Sequence, residues 1–143
     1  MDKALTFFFL MSTSVLFGQV KLDWRKLSEV TLKEAYQRND EIWRLSPTFP
    51  ESLKSLDGKK VRITGYIIPL DVEGVHFALS AFPFSSCFFC GGAGPETVIS
   101  IEFADRPREY KVDEVVTLEG ILHLGLRKGQ DFIYYLEKTQ EAS

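Results

Sequence analysis

Runs of basic residues, phosphate loops, internal repeats and low-complexity tracts are all missing from this 143-residue chain. Seventeen lysines and arginines stand against twenty acidic residues, scattered without a cluster, for a net charge of -3. Nucleic acid and anionic membrane surfaces are thereby disfavoured as partners. No serine, histidine and acid set stands out, no glycine-rich loop leads from a strand into a helix, and no pair of carboxylates shares a convincing face. Those absences weigh against an enzyme. Cysteine and histidine are scarce too, with two of each, so any site built from them is small.

What is present suits one domain with an ordinary packed core: 45% of the residues are apolar and 13% aromatic. Lys3 followed by the apolar stretch Leu5 to Phe17, then Leu16-Phe17-Gly18 before Gln19, reads as a signal peptide over residues 1–18. The stretch is too short, and too interrupted by Ser12, Thr13 and Ser14, to be a comfortable permanent span. No cysteine lies at the cleavage site to take a lipid. The expectation is an exported protein, residues 19–143, in the periplasm or outside the cell and without stable membrane insertion.

The two cysteines fall in one connector, Ser85-Ser86-Cys87-Phe88-Phe89-Cys90-Gly91-Gly92-Ala93-Gly94-Pro95-Glu96, with three of the ten glycines. Thiols two residues apart can turn toward one point, and glycines after them let the backbone approach what the sulfurs hold. The same spacing serves a metal, a structural disulfide or thiol exchange. An exported compartment oxidises unprotected thiols, which a bound metal would prevent. Phe77, Phe82, Phe84, Phe88 and Phe89 crowd around this connector, and they read as core and loop anchors before they read as a ligand pocket.

Along the chain, Leu22, Trp24 and Leu27 have helical spacing. Residues 29–45 are ambiguous between two strands turning at Arg38-Asn39-Asp40 and a helix over Thr31 to Gln37. Pro50 opens a short helix with Leu53 and Leu56 inward, ended by Asp57-Gly58. Five strands follow: Lys60 to Leu70, His76 to Phe82, Thr97 to Phe103, Val115 to Leu126 and Phe132 to Glu137. The two long ones carry internal glycines, Gly65 and Gly120, where a coiled strand must bend. The fold expected is a mainly β, small OB-like five-stranded antiparallel barrel with short N-terminal helices, a β-sandwich being the alternative. The cysteines then lie between the second and third strands, at one end of the barrel.

The pattern Leu56-Asp57-Gly58-Lys59, Val61 to Gly65, Tyr66 and Pro69-Leu70, leading through an apolar strand to Ser86-Cys87-Phe88-Phe89-Cys90-Gly91-Gly92, resembles a family of small exported bacterial proteins of unassigned function. The likeness runs from Trp24 to about Leu136. In that family another branch places a cysteine and a nearby histidine in the loop, and some members sit beside transport components linked to zinc. The resemblance implies a metal-related role, with a transport component or another exported protein as partner.

Zinc wants about four ligands. Cys87 and Cys90 supply two, and Glu96 is near enough to reach back as a carboxylate, although a solvated residue at a strand start is the plainer reading for it. His76 or His123 could complete the set, yet a lone histidine on a mostly apolar strand reads more readily as packed in the core. The alternatives are a thiol-disulfide redox protein or a disulfide-stabilised adaptor. A redox cysteine is best served by a helix N-terminus, and Gly91-Gly92-Ala93-Gly94-Pro95 is a poor helix start.

Overall fold

Polar residues alternating with β-branched ones make β4 (Lys60–Pro69) and β7 (Glu114–Leu124) the two long strands. Val61, Ile63 and Ile67 turn inward on β4 and Val116, Leu118 and Leu122 on β7, all at 3% exposure or less. The computed structural model describes residues 18–38, 42–84, 93–128, 130 and 132–142, without the side chains of residues 37, 42 and 43. The expected signal peptide falls almost wholly outside the described residues, as do Cys87 and Cys90.

With β5 (Phe77–Ser80), β6 (Val98–Phe103) and β8 (Tyr134–Glu141), the long strands form a barrel in the order β4-β5-β6-β8-β7, closed by the β4–β7 pairing. This is the OB-type arrangement. Its strands are not all antiparallel as expected, because β6 and β8 run parallel. The reason is topological: β7 lies on the far side, against β4, so β8 folds back from it and meets β6 running in the same direction.

Gly65 and Gly120 stand where the barrel leaves no room for a side chain. A Cβ on Gly65 would lie 2.6 Å from the Ser80 carbonyl oxygen and 2.9 Å from Leu79 Cγ. On Gly120 it would lie 2.8 Å from both the Glu137 carbonyl oxygen and Leu136 Cγ. There the β7–β8 ladder also slips register, between Glu119 and Ile121.

All five barrel strands differ somewhat in extent from the sequence reading. β5 starts at Phe77 instead of His76 because Asp71 accepts the His76 backbone N–H at 2.9 Å, and it stops at Ser80, whose Oγ accepts from Phe82 N at 3.2 Å. The last strand runs Tyr134–Glu141, later and longer than expected. Arg108 ties down the connection from β6 to β7, donating to Glu141 at 2.9 and 3.0 Å and to Glu114 at 2.7 Å while lying 4.1 Å over the Tyr110 ring.

The N-terminal segment closes one end of the barrel. β1 (Val20–Lys21) adds in parallel to β4, and α1 (Trp24–Leu27) begins where the Asp23 carboxylate accepts the Arg25 N–H at 2.9 Å. β2 (Thr31–Gln37) and β3 (Ile42–Thr48) make a separate antiparallel hairpin, which resolves the ambiguous stretch in favour of strands. α2 (Glu51–Lys54) follows Pro50. Both helices are single turns. Leu27 and Leu53 are fully buried from them, and the buried Tyr134 hydroxyl donates to the Leu27 carbonyl at 2.6 Å.

Candidate metal centre

The cysteine connector leaves β5 and returns to β6, and its base is stitched. Ala81 N donates to the Thr97 carbonyl at 3.0 Å, one step beyond the Ser80–Val98 pair that ends the β5–β6 ladder. On the outgoing side Phe84 N donates to Asp113 Oδ1 at 2.5 Å. Asp113 has a positive φ of 64° and is itself held by its N–H to the Ile67 carbonyl at 3.1 Å. On the returning side Pro95–Thr97 forms a single 3-10 turn, with Thr97 N and Oγ1 both donating to the Gly94 carbonyl, at 3.0 and 2.7 Å. The connector is thus pinned at both feet, one near β7 and the other against α1.

Glu96 is the one predicted ligand among the described residues, and its environment is unusual. Its Oε2 is buried and has no hydrogen-bond partner among the described residues. Such an oxygen costs about 1 to 3 kcal/mol unless something compensates it. Its place also depends on Gly94: a Cβ there would come within 2.7 Å of one carboxylate oxygen and closer still to the other. The chain therefore keeps a side-chain-free position beneath this carboxylate. Glu96 further acts on Tyr134, whose phenol is pushed well above its ordinary range by burial first, then by the negative charges of Glu96 and Glu29. The plainer reading of Glu96, a solvated residue, does not describe this oxygen.

Neither histidine belongs with Glu96. His76 and Glu96 flank opposite ends of the paired stretch in which Phe77 faces Ile101 and Ser80 faces Val98. At roughly 3.3 Å of rise per residue that places their backbones on the order of 15 Å apart, far beyond a shared ion. His76 is not packed in the core, being 75% exposed, and is held by Asp71, whose carboxylate takes its Nδ1 and its backbone N–H. His123 is on β7, two strands from β6, with Nε2 3.1 Å from Glu137 Oε2 and Nδ1 3.8 Å from Asp57 Oδ1. Among the described residues no group of three or more histidine, cysteine and carboxylate side chains is placed to hold a metal.

The aromatic residues divide. Phe77 is 3% exposed and packs edge-on against Phe103 at 5.4 Å, as a core anchor should. Phe82 and Phe84, at 51% and 54%, lie open on the outgoing foot and are not core. What sequence reasoning misses is Gly94. Its signal is present in Gly94-Pro95-Glu96, a glycine two residues before a candidate ligand.

No protein-family model matches the chain, and no curated protein does. Among solved structures it is similar to a crystal structure of a DUF3299 family protein from Pseudomonas aeruginosa, with a TM-score of 0.56 and 15% identity over 88% of this chain and 97% of that one. At that identity the likeness carries the fold. It is consistent with an uncharacterised bacterial family and brings no ligand with it.

Proposed function

We propose that this protein is an exported metal-binding domain that takes zinc, or a similar thiophilic ion, through Cys87, Cys90 and Glu96, and serves metal handling beside another exported protein. The observation that carries the reading is the buried Oε2 of Glu96 at the foot of the cysteine connector, which has no partner among the described residues. A cation supplies what that oxygen lacks, and Gly94 keeps the space in which the carboxylate sits. With His76 and His123 engaged elsewhere, three protein ligands leave one position for water or for a donor on a partner. An open fourth position suits an ion that is passed on better than one that only braces a fold. The redox alternative has less support, since the helical element that follows the cysteines among the described residues is a three-residue 3-10 turn and offers no dipole to depress a thiol.

Reduced protein titrated with zinc at neutral pH against a chromogenic chelator should take up one ion per chain. Cys87→Ser and Cys90→Ser should each abolish uptake. Glu96→Gln should weaken it by about tenfold or more, while leaving the metal-free protein as stable as before, because no hydrogen bond to Oε2 is lost. Failure to bind zinc at micromolar concentration, together with spontaneous Cys87–Cys90 disulfide formation in air, would replace the metal reading with the structural-disulfide one.

A further inference from the structure

The N-terminal segment meets the returning foot of the cysteine connector. Pro95–Thr97, the 3-10 turn that carries Glu96, packs against α1. The two share a neighbour in Tyr134, whose buried hydroxyl donates to the Leu27 carbonyl at 2.6 Å and whose phenol feels the charges of Glu96 and Glu29. The segment's other ties to the barrel include the Gln19 amide on Glu119, the pairing of β1 with β4, and the bonds from Leu22 N to the Arg62 carbonyl and from Trp24 Nε1 to the Thr64 carbonyl. The indole lies against β4 where there is no side chain, since a Cβ on Gly65 would stand 3.0 Å from Trp24 Cζ2. A short terminal element seated in this way opens at low free-energy cost, so one interaction gained or lost moves its equilibrium measurably.

The two carboxylates at this junction differ. Glu29 is answered by Lys26 Nζ at 3.0 and 3.1 Å and by the Ser52 hydroxyl at 2.6 Å, a bond that also ties α1 to α2. Oε2 of Glu96 is answered by nothing among the described residues. The cations of α1 are turned elsewhere: Arg25, its side chain 92% exposed, lies 3.3 Å from Asp23, and Lys26 is on Glu29. Each group that closes over an uncompensated carboxylate takes away water that would solvate it, so seating the segment carries a cost that grows with burial. A cation on Glu96 removes that cost. The ion-bound protein therefore favours the seated segment, and by linkage the seated segment favours the ion to the same extent.

We infer that residues 19–30 report metal occupancy: an ion on Glu96 tightens their seat on the barrel end, and its departure loosens it. The inference rests on the metal reading and names the element that responds to that site. The test is amide hydrogen exchange, with and without zinc, at Leu22 and Ser28, whose N–H groups donate to the Arg62 and Trp24 carbonyls. Zinc should slow both by about fivefold, the lower end of the coupling between linked sites, and leave the separate β2–β3 hairpin unchanged. Glu96→Gln should slow both amides in the metal-free protein, because the charge is gone. No zinc uptake by the wild type overturns the metal reading and this inference with it, whereas uptake with exchange unchanged at Leu22 and Ser28 overturns this inference alone. Equal slowing in the hairpin overturns it too, since the ion would then stiffen the whole molecule, as do amides in metal-free Glu96→Gln that exchange as fast as in wild type.

Discussion

One missing side chain, at Gly120, decides how closely β7 can approach β8. The residue faces inward at the register slip, and a Cβ would sit 2.8 Å from a backbone oxygen of β8, an atom that cannot rotate away. Gly120→Val should lower unfolding stability by about 1 to 3 kcal/mol through overpacking, and Gly65→Val should act in the same direction. Urea unfolding of the two variants reads this directly, and unchanged midpoints in both would show that neither glycine holds a bend. These two positions are legible in the sequence because a glycine weakens a long β-branched run unless the strand must bend there or admit a neighbour closely. Glu96 is half legible. Its nearness to Cys90 nominates it, but its turn packs on α1 and its charge acts on Tyr134, both from distant parts of the chain. The histidines mislead because their carboxylate partners, Asp71, Asp57 and Glu137, decide their role, and of these only Asp71 is a close neighbour in sequence.

Among the elements, β4 and β7 are joined to each other, and to Gln19 just before β1, by one carboxylate. Glu119 is 5% exposed, yet it accepts from Arg62 Nε at 2.9 Å and from the Gln19 amide at 2.6 Å, and Lys60 Nζ lies 3.3 Å away. The Arg62 guanidinium is the main reason its carboxyl is held below the ordinary range, with Lys60 adding and burial opposing. A carboxyl whose pKa is lower in the folded state stabilises the fold above the unfolded-state pKa, and that contribution is lost as pH falls through the folded value. Glu119→Gln should therefore destabilise at neutral pH, and the gap from wild type should shrink below pH ~4 as the native carboxylate protonates. Denaturant midpoints of the two proteins across that range check it, and a gap independent of pH would mean that Glu119 acts through packing alone. The long strands are readable from alternation. The β2–β3 hairpin is not, since Leu32 and Tyr36, four apart, fit a helical period as well as an alternating one, and only the partner strand decides between them.

For the fold in its entirety, five strands and two bend glycines suggest a barrel, but no local pattern encodes which strand lies beside which. The parallel β6–β8 contact follows from closing the barrel through β4 and β7, a global condition. The same holds for the capped end. Leu22, Trp24 and Leu27 have the spacing of an amphipathic turn, and the structure shows what that turn covers. Leu22 N donates to the Arg62 carbonyl at 2.8 Å, Trp24 Nε1 donates to the Thr64 carbonyl at 2.8 Å, and Leu27 is buried with its carbonyl on Tyr134. Burying each leucine is worth about 1.5 to 3 kcal/mol, and the half-buried Trp24 adds to that. Together they approach the lower end of the roughly 5 to 15 kcal/mol that holds a typical domain folded. A chain begun at Gln19 keeps all of these contacts and the hydrogen bond from its side-chain amide to Glu119, whereas one begun at Glu29 loses them and opens the barrel end beside Glu96. The shorter chain should show no cooperative thermal transition, or one far below that of the longer. Equal melting temperatures for the two would mean that β4 to β8 stand alone and that the N-terminal segment is an ornament on a self-sufficient barrel.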